Sequence, residues 1–72
     1  MKYEIFPHKV MIEGETVDTF GIVVTDKQGT TYTFDDITTL RENLEKFVAF
    51  LNEENVSLKC FKIFLELFID SL

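Results

Sequence analysis

Three places in this sequence carry residue types that do chemistry: the single histidine, His8, the single cysteine, Cys60, and the adjacent carboxylates Asp35 and Asp36. A histidine beside a cysteine can act as base and nucleophile, because the imidazole draws off the thiol proton. Nothing in the spacing brings His8 to Cys60. Cys60 also falls at the third or fourth position of a helix, where the helix N-terminus lowers a thiol pKa only weakly. A surface imidazole beside Pro7 and a half-buried thiol are the simpler reading. Asp35 and Asp36 adjoin in an extended segment, so their side chains point apart and form no acid–base pair. They read instead as acceptors for free backbone donors at the start of the next helix, near the positive end of its dipole. No calcium loop, glycine-rich phosphate loop, zinc-type cysteine–histidine cluster or nucleophile elbow is present. The residues nominate no catalytic group, no metal ligand and no cofactor site, and a non-enzymatic protein is expected.

The bulk composition narrows the classes further. Seventy-two residues make one small α+β domain, residues 1–72, with 46% hydrophobic residues and eight phenylalanines to build a dense core. Thirteen acidic against seven basic residues give a net charge of −6. The cations are scattered, whereas nucleic acid and anionic membranes are held by clustered ones, so neither is an expected partner. One cysteine excludes an internal disulfide and fits a reducing compartment. The stretch MKYEIFPHK has no apolar run of signal-peptide length. The apolar C-terminal run is short for a membrane span and carries Lys62, Glu66 and Asp70. A cytoplasmic location is expected.

The hydrophobic period changes from two to helical at about residue 36. Residues 2–12 read as an edge strand in which Tyr3 and Ile5 have one parity and Val10 and Ile12 the other. One apolar face then requires an inserted residue, and Pro7 predicts a bulge near Pro7–His8. After a glycine-bearing loop at Glu13–Glu15, a second strand over about 16–25 places Phe20, Ile22 and Val24 on one face. Gly21 removes a side chain from the other, where another chain or a side chain is expected to approach closely. Asp26 to Gly29 suits a type I turn. A third strand over about 30–35 places Tyr32 and Phe34 together, completing an antiparallel meander. Thr39 and Glu42 form a predicted capping box for a helix over about 40–53, apolar at Leu40, Leu44, Phe47, Val48 and Leu51. Asparagines from Asn52 to Asn55 suit its end, and Ser57 caps a last helix over about 58–71. Strands followed by helices predict a three-stranded sheet with both helices packed on one face.

The last helix has more apolar surface than one sheet can cover. Leu58, Phe61, Phe64, Leu65, Phe68, Ile69 and Leu72 form its core arc at about 100° per residue. Cys60, Ile63 and Leu67 are left over on the other side, with Phe50 of the first helix as a possible flank. Either the first helix wraps onto them or a second chain does.

The run Phe20-Gly21-Ile22, the segment Asp36-Ile37-Thr38, Asn52, the pair Val56-Ser57 and the closing Glu66, Phe68 and Ile69 resemble a family of short, uncharacterised bacterial proteins. The resemblance covers the chain from about residue 10 onward and implies the meander, the two helices and a bacterial cytoplasmic setting. Similar members tend to show a histidine where Cys60 stands and acidic residues where Ile63 and Leu67 stand; if those positions form a site in relatives this chain lacks it, and if they only face solvent there, here that face has become oily. The expected function is a protein–protein interaction module, a homodimer or an accessory subunit, using Cys60, Ile63, Leu67 and Phe50. The alternative is a small-ligand module with a pocket lined by Tyr3, Phe6 and Tyr32 between sheet and helices.

Overall fold

A computed structural model describes all residues from Met1 to Leu72. Strands β1 (Lys2–Ile12), β2 (Glu15–Thr25) and β3 (Thr31–Thr38) precede helices α1 (Arg41–Glu53) and α2 (Leu58–Asp70). The sheet is antiparallel in the order β1-β2-β3, which is the expected α+β meander followed by two helices. Its two turns follow from residue chemistry. Glu13 and Gly14 both have positive φ, 51° and 81°, as a two-residue hairpin turn that matches strand twist requires. At the second, Asp26 Oδ1 accepts from the backbone N–H of Gln28 and of Thr30, and Gly29 takes φ 86°.

The irregularity of the sheet lies in a different strand from the one predicted. The β1–β2 ladder runs without a break from Lys2↔Thr25 to Ile12↔Glu15, so there is no bulge at Pro7–His8. Tyr3 explains why proline is tolerated there. Its backbone N–H and carbonyl turn away from β2 to the Asn52 side chain, so Pro7, of the same parity, lacks only an N–H that would have pointed off the sheet edge. Val10 and Ile12 consequently fall on the uncovered face of the sheet. The true register shift is in β3: Phe20 pairs with Thr38 but Ile22 with Phe34, so Asp35, Asp36 and Ile37 together face Gly21. Asp36 takes φ 52° to make the detour. A Cβ on residue 21 would lie 2.1 Å from the Phe34 carbonyl oxygen, which is why glycine stands there. Asp35 and Asp36 therefore belong to a strand that ends at Thr38, three residues later than expected, and do not serve the start of α1.

The predicted capping box at Thr39 and Glu42 does not form; Leu40 precedes α1, and the Thr38 hydroxyl accepts from the Leu40 N–H at 3.0 Å instead. The end of α1 is well determined. Asn55 is left-handed at φ 49°, its N–H donates to the Asn52 carbonyl, and the Val56 N–H donates to the Leu51 carbonyl. This double closure buries Val56 under the helix end, the hydrophobic contact that accompanies such a stop. Ser57 caps α2 as expected, its hydroxyl accepting from the Cys60 N–H at 3.4 Å.

Both helices lie on the sheet face formed by Tyr3, Phe20, Ile22 and Val24, which join Leu44, Val48, Leu51, Val56 and Phe61 in one core. Phe61 is fully buried and touches three rings: Tyr3 at 5.3 Å, Phe34 at 5.0 Å and Phe47 at 6.5 Å. Arg41 covers Phe20 at the start of α1, 5.2 Å above the ring. The end of α1 is clasped to β1: the Tyr3 N–H donates to Asn52 Oδ1 at 2.8 Å, and Asn52 Nδ2 donates to the Tyr3 carbonyl at 2.9 Å. The Tyr3 hydroxyl donates to the Val56 carbonyl, tying the helix connection to the same strand. Burial raises the Tyr3 pKa, with a further contribution from Cys60, which keeps the phenol protonated as the donor. Asn52→Leu strips both partners from a part-buried backbone pair and is expected to lower unfolding free energy by about 2 kcal/mol. Urea denaturation reads this directly, and an unchanged midpoint would show that water replaces the amide at no loss.

Candidate functional site

The structure separates His8 from Cys60. His8 lies on the open face of the sheet, while α2 and its thiol lie on the covered side. What His8 meets is Asp36. The β3 detour brings the carboxylate back across β2, above the side-chain gap at Gly21, so that His8 Nδ1 and Asp36 Oδ1 stand 2.9 Å apart. The Phe6 ring stacks on the imidazole at 6.2 Å. Both partners are about half exposed. An imidazole oriented by a carboxylate is half of a general-base device, but no nucleophile accompanies it: the nearby Thr19 hydroxyl donates to the Thr38 carbonyl. No group of three or more histidine, cysteine or carboxylate side chains is arranged to hold a metal ion.

The hydrogen bond to Asp36 raises the His8 pKa above its ordinary 6.5, against desolvation, and the charges of Asp36 and Asp35 add to the rise. A folded-state pKa above the unfolded one means that the pair stabilises the fold fully below about 6.5 and loses that contribution as pH rises through the folded value. NMR titration of the His8 ring is expected to give a midpoint above 6.5, returning toward 6.5 in Asp36→Asn. A native midpoint at or below that value would show that the contact does not persist in solution.

The four residues nominated for interaction all reach the solvent side of the helix layer. Ile63 is 58% exposed, Leu67 60% and Phe50 39%, and the Cys60 thiol is exposed beside them. Of the two ways of covering this face, wrapping by α1 is therefore ruled out within the chain. α1 contributes only Phe50, whose ring meets Phe64 edge-on at 5.4 Å. Ile69 and Leu72, expected in the core arc, are also about half exposed: the sheet covers a narrower arc of α2 than its sequence offers, and Leu72 lies beyond the end of the helix. Next to the stripe, where α1 ends and α2 begins, an open depression of about 560 Å³ is walled by Phe50, Val56, Cys60 and Phe64. Glu54, Asn55 and Ser57 form its rim. Phe64 extends the surface beyond the four nominated residues, and Val56, itself buried, lines the depression. The signal for Val56 was Asn55: a left-handed helix stop places the following apolar residue against the helix end.

The alternative reading places a pocket between sheet and helices, whereas the depression in the structure lies at the junction of α1 and α2. Tyr3 is core, whereas Phe6 has the opposite parity and lies on the far face of the sheet, so the two cannot line one cavity.

Comparison with protein-family models, with curated proteins and with solved structures gave no match. No helix is long and apolar enough to cross a membrane.

Proposed function

We propose that this chain is a non-enzymatic protein–protein interaction module of a bacterial cytoplasm, akin to the short family it resembles, and that the outer face of α2 is its docking surface. The observation that supports this is the exposure of Ile63 and Leu67, two large aliphatic side chains one turn apart, beside exposed Cys60 and half-exposed Phe50. Isolated exposed aliphatics are ordinary on protein surfaces, but a contiguous stripe that adjoins an apolar depression marks an interaction site. Burying an isoleucine or leucine side chain contributes about 1.5–3 kcal/mol, so the stripe can sustain a modest complex once the losses of association are subtracted.

The test is the native size of the chain in extracts of cells that express it, set against Leu67→Glu. The native chain is expected to migrate as a species larger than its 8.4 kDa monomer. Leu67→Glu is expected to keep its helical circular dichroism and migrate as the monomer. Loss of helicity in the variant, or a native chain that is monomeric both in extracts and when purified, would overturn the reading.

A further inference from the structure

The geometry points to a second copy of this chain as the occupant of the α2 face, docked with the two α2 helices antiparallel; this rests on the interaction reading above. The charges of α2 single out this partner. Its cations, Lys59 and Lys62, stand in the first half of the helix and its carboxylates, Glu66 and Asp70, in the second. This is the reverse of what the helix dipole favours, with no acid in the first turn and no base in the last. None of the four has an ion-pair partner within the chain, whose ion pairs are all made elsewhere. Within one molecule the arrangement is mildly unfavourable. An antiparallel second copy makes it complementary.

The register follows from the spacing. Lys59 lies one turn before Ile63, and Asp70 one turn after Leu67. At about 100° per residue the two charges fall within about 20° of each other, on one flank of the apolar stripe. A twofold axis passing between Ile63 and Leu67, perpendicular to the helix, sets Ile63 against the facing Leu67 and Lys59 level with the facing Asp70. Symmetry makes the ion pair twice. Parallel docking would instead put like charges at the same level. Each chain carries a net charge of −6, so two copies repel in most orientations and the complementary one is singled out.

Lys59 and Asp70 of one helix are about 16 Å apart along its axis and cannot meet within a chain, so charge reversal tests the proposal. The purified chain is expected to dissociate from dimer to monomer by light scattering over a hundredfold dilution. Lys59→Asp and Asp70→Lys are each expected to weaken the dimer about tenfold, since each replaces two attractions by two repulsions. The double variant should return to within about twofold of native. Each reversal improves the match of α2 to its own dipole, so weakened association cannot be put down to a damaged helix. A purified chain that is monomeric at every concentration, or a double variant no tighter than the singles, would overturn the second-copy assignment. If that purified monomer still runs as a larger species in extracts, a different protein occupies the face and only this proposal fails. If it is monomeric there as well, the interaction reading fails with it.

Discussion

Phe61→Ala is expected to lower the unfolding free energy by about 3–5 kcal/mol, the range for deleting a fully buried aromatic ring. The ring is the point where β1, β3 and both helices meet. It touches Tyr3 of β1, Phe34 of β3 and Phe47 of α1, so its loss uncouples α2 from both edge strands and from its neighbouring helix. Cavity collapse is hindered because the surrounding rings are held elsewhere: Tyr3 by its hydroxyl and by Asn52, and Phe47 by stacking on Phe68 at 4.5 Å. A domain of this length has a small stability margin, and a loss of that size leaves much of the population unfolded at room temperature. Urea denaturation followed by circular dichroism is the measurement. Leu67→Ala is the control, expected to stay within about 0.5 kcal/mol in the monomer because its side chain lies in solvent. Equal losses in the two variants would mean that α2 is seated the other way round on the sheet.

Gly21→Ala is the second large effect, expected to cost about 3 kcal/mol, at the upper end for a steric insertion that backbone must absorb. The obstacle is the Phe34 carbonyl oxygen, 2.1 Å from the added Cβ, with the Asp35 Cα at 3.0 Å; both are main-chain atoms. A flexible side chain would move aside, but here β3 itself must retreat. That retreat carries Asp36 with it, so the variant should also lose the raised His8 pKa. Unfolding and the His8 titration are thus coupled through a residue that takes no part in the His8–Asp36 hydrogen bond. A Gly21→Ala chain with native stability and an unshifted His8 midpoint would show that the detour in β3 does not depend on the close approach at Gly21.

Phe61 and Gly21 differ in how far their roles can be read from sequence. Phe61 was legible: it sits at the centre of a helical arc of apolar residues, and a period near 3.6 dictates which side is buried. Gly21 was half legible. Its missing side chain signalled a close approach, but only the register of β2 with β3 identifies the visitor as the Phe34–Asp35 backbone. Pro7 misled for a physical reason. Proline removes one backbone donor, and whether that matters depends on which way the donor would have pointed, a property of strand pairing and not of the residue. The bulge assigned to Pro7 belongs to β3, where Asp36 adopts a positive φ that its type tolerates but does not announce. The same displacement explains the capping box that does not form, since β3 runs on to Thr38 and leaves Thr39 outside the cap position.

By itself the sequence determined the order and type of all five elements, the turn at Asp26–Gly29, the caps at Asn55 and Ser57, and the surplus of apolar residues on α2. Each of these follows from local chemistry: side-chain period, backbone conformations open to asparagine and glycine, and hydroxyls within reach of free N–H groups. Only the tertiary structure decided which partners residues far apart in the chain would find. It joined Asn52 to the Tyr3 backbone, brought Asp36 to His8 across β2, and left Cys60, Ile63 and Leu67 facing solvent beside Phe50. Such pairings depend on strand register and on how wide an arc of a helix a three-stranded sheet can cover, and neither quantity is written in any short stretch of residues.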